Sequence, residues 1–177
     1  SLSNLKWFMQ RSQIIAVRIA TMNILGVDPG SRITGFGLIT ADKLKFNYVT
    51  SGCIRTKGDF NERIITIFKG IKEILEKNEV DIVVIERAFM RPDRPNPDAA
   101  IKLGHARGAI ISAVGTQDLP IVDYSPNQIK KAIVGKGHAA KDQVSYMVQH
   151  LLKLNKAPQA DAADALAGAI CHAYHAL

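Results

Sequence analysis

The stretch Pro158-Gln159-Ala160-Asp161-Ala162-Ala163-Asp164-Ala165-Leu166-Ala167 is small and apolar almost throughout, except for two aspartates. Such residues predict a buried helix, and a spacing of three sets Asp161 and Asp164 on one face, about 4.5 Å apart along the axis. Two like charges buried together are costly unless a cation or a donor compensates them. The pair therefore asks for a metal ion. Two more acids stand in the same awkward position, each closing an apolar run that reads as a strand. Asp28 ends Ile24-Leu25-Gly26-Val27-Asp28, and Glu86 ends Ile82-Val83-Val84-Ile85-Glu86. Glu73, Glu76 and Glu79 lie where a solvated helix face is expected.

Outward from these acids the chain reads as strand 23 to 28, a glycine turn, strand 34 to 40 and a third strand near 44 to 54, close enough together for an antiparallel meander. Phe60, Ile64, Ile67, Phe68, Ile71 and Leu75 then recur at helical spacing before a buried strand over Val80 to Glu86. Arg91-Pro92-Asp93-Arg94-Pro95-Asn96-Pro97-Asp98 is rich in proline and charge and reads as a mobile loop leading into a helix from about Asp98 to Gly115. A fifth strand over Leu119 to Tyr124 precedes helices near 126 to 134, 140 to 154 and 159 to 175. Three strands followed by alternating helices and strands make a mixed α/β plan.

The 177 residues fit one domain, and an apolar fraction of 47% supplies a full core. No apolar run approaches the roughly 18 residues that a membrane span requires. Cys53 and Cys171 have no ligand-like spacing and are expected to be buried reduced thiols, which suits a cytoplasmic protein. Residues 1 to 21 contain Lys6, Arg11 and Arg18 and no acid, with no cleavage pattern that would make them a signal peptide. Met22 reads as a natural start. The folded domain is expected over 22–177, with 1–21 an expression remnant, a mis-set start or a peripheral extension.

The net charge is +7, and its placement matters more than its size. From Asp123 to Lys156 the lysines Lys130, Lys131, Lys136, Lys141, Lys153 and Lys156 outnumber the acids. Arg87, Arg91, Arg94, Lys102 and Arg107 do the same between Arg87 and Arg107, against Asp93 and Asp98. An acidic pocket rimmed by cations suits a metal-dependent enzyme acting on a polyanion, since the rim binds phosphates while the pocket binds cations. Any single lysine is more commonly just solvated.

Four ordered segments, Gly26-Val27-Asp28-Pro29-Gly30-Ser31-Arg32, Ile85-Glu86-Arg87-Ala88-Phe89-Met90, Lys102-Leu103-Gly104-His105-Ala106-Arg107-Gly108 and Gln159-Ala160-Asp161-Ala162-Ala163-Asp164-Ala165, closely resemble those of the RuvC family of bacterial Holliday junction resolvases. The resemblance covers essentially all of 22–177. It implies an RNase H-like fold, a five-stranded mixed sheet flanked by helices, working as a homodimer on four-way junction DNA. It also implies paired symmetric nicks that leave 5′-phosphate ends, a preference for a thymine-rich step, and the branch-migration proteins RuvA and RuvB as partners.

By that resemblance Asp28, Glu86, Asp161 and Asp164 are the catalytic carboxylates and hold Mg²⁺ or Mn²⁺, two ions per site, both being hard cations that favour oxygen ligands. Lys130 and Lys141 match lysines placed close to the scissile phosphate, where a fixed charge offsets charge developing in the transition state. Phe89 matches an aromatic that stacks on an unpaired base. Arg32, Lys131 and Lys136 are candidate phosphate contacts. The small residues Ala99, Ala100, Leu103, Ala106, Ala109, Ile110 and Ala113 imply a dimer interface by resemblance, and a buried intramolecular face explains them equally well. The loop after Phe89, with Pro92, Pro95 and Pro97, is longer than the family pattern.

Other features carry less. Asp28-Pro29-Gly30-Ser31 lacks the Gly-Lys-Ser/Thr ending of a nucleotide loop. Histidines 105, 138, 150, 172 and 175 show no metal-site spacing and read as packing, capping or rim residues. Competing readings are an RNase H-like nuclease acting on RNA or another branched substrate, and a silent junction-binding protein. Retention of four carboxylates argues against the latter. An actin-like ATPase is disfavoured because the chain lacks a second subdomain.

Overall fold

The computed structural model describes residues 21–87 and 95–176, so Phe89, the start of the proline-rich loop and residues 1–20 lie outside the described residues. Five strands are present: β1 (Thr21–Asp28), β2 (Ile33–Asp42), β3 (Lys45–Arg55), β4 (Ile82–Glu86) and β5 (Ile121–Tyr124). With them come α1 (Phe60–Lys77), α2 (Pro97–Gly115), α3 (Pro126–Val134), α4 (Lys141–Leu151) and α5 (Ala160–Ala176). The sheet order is β3-β2-β1-β4-β5. Strands β1 to β3 form the expected antiparallel meander, whereas β4 runs parallel to β1 and β5 parallel to β4. This is the five-stranded mixed sheet flanked by helices of the RNase H-like plan.

Strand alternation sorts the core into two layers. Ile24, Ile39 and Val84 face one side and pack with Leu166 and Ile170 of α5 and with residues of α3 and α4. Leu25, Val27, Leu38, Val83 and Ile85 face the other and pack with Ile67 and Ile71 of α1 and Ile110 of α2. The two-residue period then fixes the direction of the acids. Asp28 follows Ile24 and Gly26 on the α5 side, and Glu86 follows Val84 there.

Helix ends follow local chemistry. Asp59 and Glu62 form a reciprocal capping box on α1, and Ser125 with Gln128 does the same for α3, which begins at Pro126 and stops at Gly135 with a left-handed φ of 81°. The fourth and fifth strands start at Ile82 and Ile121, two residues later than the apolar runs predict. The fifth follows Pro120, which has no N–H for the ladder and whose carbonyl accepts from Val83. The α4 helix ends at Leu151, ahead of the expected 154, because Lys153 adopts a left-handed φ of 53°. Of the small-residue face of α2, Ala106, Ala109, Ile110 and Ala113 are buried within the chain, whereas Ala99 and Ala100 are exposed.

The burial expected of the cysteines holds for one of them. Cys171 is buried, and burial pushes its thiol up to about 12. Cys53 is only half-buried, because it lies on the α5 side of β3 where the sheet runs out beside Asp161. Of the histidines, His172 is buried while His105, His138, His150 and His175 are exposed; His172 Nδ1 lies 3.0 Å from Tyr124 Oη, and burial first, then the charge of His175, holds its pKa below the usual 6.5. The unfolded chain then takes up a proton near pH 6.5 that the folded chain refuses until lower pH, so stability is complete above that range and lost as pH falls through it. Thermal melts between about pH 7 and pH 5 should show this loss, and His172→Gln should flatten the slope.

Candidate active site

Two parallel strands, β1 and β4, and the first turn of α5, which runs in the opposite direction, bring the four acids to one end of the sheet. Val27 pairs with Ile85, which makes Asp28 and Glu86 neighbours at the ends of adjoining strands. Asp28 itself pairs with Gly35 of β2, and the first turn of α5 lies directly over that glycine. A Cβ on Gly35 would stand 2.0 Å from the main-chain oxygen of Asp161 and 2.9 Å from its Cβ. One turn along, a Cβ on Gly26 would meet the Ala165 oxygen at 1.9 Å. These two missing side chains let α5 settle onto the sheet and carry Asp161 and Asp164 over Asp28. Nothing in an apolar pattern marks a glycine as a seat for a helix, so both were missed by the reading of periodicity.

The acids are close enough to act on one another's charge. Asp28 is pushed up to about 8, by burial first and then by the charges of Glu86, Asp164 and Asp161, against the pull of Lys141. Glu86 is also raised, chiefly by burial and then by Asp164, while Lys141 and Lys130 act in the opposite direction. Asp161 and Asp164 are half-buried. Lys141 Nζ donates to Asp164 Oδ2 at 3.2 Å, and the Asp164 charge holds the ammonium above its ordinary pKa.

Lys130 and Lys141 come from different helices but line the same pocket of about 110 Å³ with Glu86 and Asp164, backed by Ile129 and Val144. Lys131, one residue on, points to the exposed side of α3, and Lys136 is exposed after that helix. Arg32 is exposed on the turn between β1 and β2, which Thr34 fastens by donating its hydroxyl to Gly30 O at 2.8 Å. The stacking residue Phe89 is outside the described residues.

The count of rim cations overstates the rim. Arg107 turns inward: Nη2 binds both oxygens of Asp123 at 2.9 and 3.0 Å, and Nη1 donates to the main-chain oxygen of Glu86 at 3.1 Å. It anchors the end of β4 where Glu86 sits. Lys102 instead pairs with Asp98 on the surface at 2.6 Å. Arg107→Ala should cost about 1–3 kcal/mol in denaturant unfolding, since a half-buried carboxylate loses its charged donor. It should also disturb the reaction through Glu86.

Among the described residues no three Asp, Glu, His or Cys side chains form a ready-made ion cage. Like charges spread apart, and one carboxylate is already engaged by Lys141. The donor set nevertheless fits a hard divalent cation: it is all oxygen, it arrives from three elements, and its mutual repulsion is what an ion would relieve. Such a cluster, edged by lysines on a sheet end, can position a phosphodiester beside a cation.

A family model described as crossover junction endodeoxyribonuclease RuvC matches residues 24–172. A crossover junction endodeoxyribonuclease RuvC of Hydrogenovibrio crunogenus is 52% identical over 150 residues, covering 84% of this chain and 86% of that protein. One from Shewanella sp. (strain MR-4) is 54% identical over 153 residues, covering 86% of each. The structure of T. thermophilus RuvC in complex with a Holliday junction substrate superposes with a TM-score of 0.81 at 33% identity, covering 88% of this chain and 94% of that one. Among the described residues no helix is long and apolar enough to cross a membrane.

Proposed function

Because the chain belongs to the RuvC family of crossover junction endodeoxyribonucleases, we propose that it resolves Holliday junctions in DNA recombination and repair, nicking two strands at symmetry-related positions and leaving 5′-phosphate ends. The observation that carries this reading is the meeting of Asp28, Glu86, Asp161 and Asp164 at one sheet end, with Lys130 and Lys141 on the pocket wall. Those four carboxylates would hold Mg²⁺ or Mn²⁺, two ions per site, which when bound supply Lewis-acid activation of water and of the phosphate.

The chain's own side chains do the rest. Asp28 and Glu86 sit on strand ends that the sheet holds rigid, so they align whatever approaches. Lys141 stays charged beside Asp164 and offers a donor to the phosphate oxygens as charge builds on them. Lys130 lines the same pocket from α3 and offers a second donor there. Lys141→Ala should therefore slow single-turnover cleavage by about 10²-fold while weakening junction binding far less, because it is one cation among several; equal losses in both would count against a transition-state role. Arg32, Lys131 and Lys136 contact phosphates of the arms, and Phe89 stacks on an unpaired base.

The enzyme acts as a homodimer, since a junction cut at two symmetric points calls for two sites related by a twofold axis. Support comes from the outer face of α2, where Ile101 is 59% and Ile111 40% exposed, and where Gly104 and Gly108 leave room for close approach. The nuclease domain spans 22–177 together with Thr21, which opens its first strand by pairing with Asp42, and it works in the cytoplasm with RuvA and RuvB.

The test is cleavage of a synthetic mobile four-way junction with Mg²⁺ and with EDTA, each strand followed separately. Paired, metal-dependent nicks are expected. A junction that is bound yet left uncut with every divalent ion tried, or cleavage confined to the RNA strand of a hybrid, would overturn the reading.

A further inference from the structure

Lys130 and Lys141 flank the acids on the side of α3 and α4. On the opposite flank, across β2, the end of β3 carries Arg55 and Lys57, both exposed. Arg55 pairs with Ile33, immediately after the turn that bears Arg32. Thr56 ties that turn to the strand end: its N–H donates to Arg32 O at 3.0 Å and its hydroxyl to Ser31 O at 2.7 Å. The guanidinium of Arg55 also reaches α5, with Nη2 donating to Gln159 Oε1 at 3.2 Å. Gln159 accepts the helical bond from Ala163 N at 2.8 Å, so Arg55 stands at the lip of the turn that presents Asp161.

The nearby acids are hydrogen-bonded elsewhere. Asp59 accepts from the main-chain N–H of Glu62 at 2.9 Å, and Glu62 accepts from that of Asp59 at 3.0 Å, so both are spent on the cap of α1. Four carboxylates repel a phosphate strand laid over them, and a strand held only from the α3–α4 side would swing away. Holding it needs cations on both sides. Arginine suits the task because its fork matches two phosphate oxygens at once.

We propose that Arg55 and Lys57, with Arg32, form a second phosphate-binding surface that grips the DNA strand on the side of the cleavage site away from Lys130 and Lys141. The proposal rests on the junction-nuclease reading and adds two residues to it. An exposed cation is ordinarily just solvated. These are set apart by the Thr56 tie, by the Arg55 link to α5 and by their place next to Asp161.

The experiment is fluorescence anisotropy of a labelled four-way junction across a salt series, with divalent ions chelated so that the strands stay whole. It compares the wild type, Arg55→Gln, Lys57→Gln, the double variant and Arg55→Lys, with a thermal melt of each. The plot of log affinity against log salt should become shallower by about 0.9 for each lost contact, hence by nearly 2 in the double variant, with Arg55→Lys close to the wild type. Lys57 makes no link to α5, so its variant reads phosphate contact without any structural loss. A wild type that binds, together with variants of unchanged slope, would overturn this proposal alone. A wild type that fails to bind the junction would overturn the parent reading and this one with it.

Discussion

Asp28→Asn is expected to abolish junction cleavage while leaving a protein that is more stable and binds the junction at least as well. Asp28 is the acid on which the other three act most, and it is the one forced furthest from its ordinary pKa. As asparagine it keeps its shape and one oxygen but loses the charge that would bind a cation. Removing a metal ligand forfeits several kcal/mol of transition-state stabilisation, which is at least about 10³-fold in rate. The same change removes a buried group that is costly to hold charged and is pushed far above its ordinary pKa, and so stabilises the metal-free fold. Above about pH 8, where Asp28 is ionised without a metal, phosphates also meet one negative charge fewer. Three measurements on one variant check this: strand cleavage, thermal melting in EDTA and junction affinity. A variant that loses binding in step with cleavage would show Asp28 to be a structural group.

Gly35→Ala is expected to be nearly as damaging to activity, though it removes no functional group. Its new methyl would overlap the main-chain oxygen of Asp161 and crowd that residue's Cβ. Backbone cannot rotate away as a side chain can, so α5 must lift at its first turn or the strands must part. Such overpacking costs about 1–3 kcal/mol, with larger losses where the obstacle is main chain. The helix carries two of the four acids, and a displacement of about 1 Å at a reacting centre is enough for about a 10²-fold loss in rate. Circular dichroism would show a folded protein of lowered melting temperature, and cleavage would fall far more than Asp98→Ala on the surface of α2 allows. Wild-type rates in a folded Gly35→Ala protein would contradict the close seating of α5.

The acids were legible in the sequence because each interrupts an apolar pattern. A charge closing Ile82-Val83-Val84-Ile85, or placed twice in a run of alanines, has no cheap explanation in water or in a core. Strands and helices were legible for the same reason, through periods of two and of about 3.6. What stayed hidden was whatever depends on contacts between distant segments. Gly35 and Asp161 are far apart in the chain, and a missing side chain leaves no trace in a hydrophobic pattern. Arg107 reads as one more cation until Asp123 and the Glu86 carbonyl are found around it. Cys53 reads as a core thiol until Asp161 is found at its side. Lys130 and Lys141 were placed by resemblance, and they line one pocket with Glu86 and Asp164.

The position of α5 in the chain has a consequence for synthesis. One whole face of the sheet, with Ile24, Ile39 and Val84, is covered only by elements made after β5, and α5 is the one seated at its centre. At about 5–20 residues per second, β1 waits roughly 7–30 s on the ribosome for the helix that closes over it. During that interval the emerging chain has an open apolar face, making it a client for chaperones. It also has only Asp28 and Glu86 of its four acids. If the four acids act as proposed, a nascent or prematurely ended chain lacking α5 cannot cleave a junction, and activity arrives only when the fold is finished.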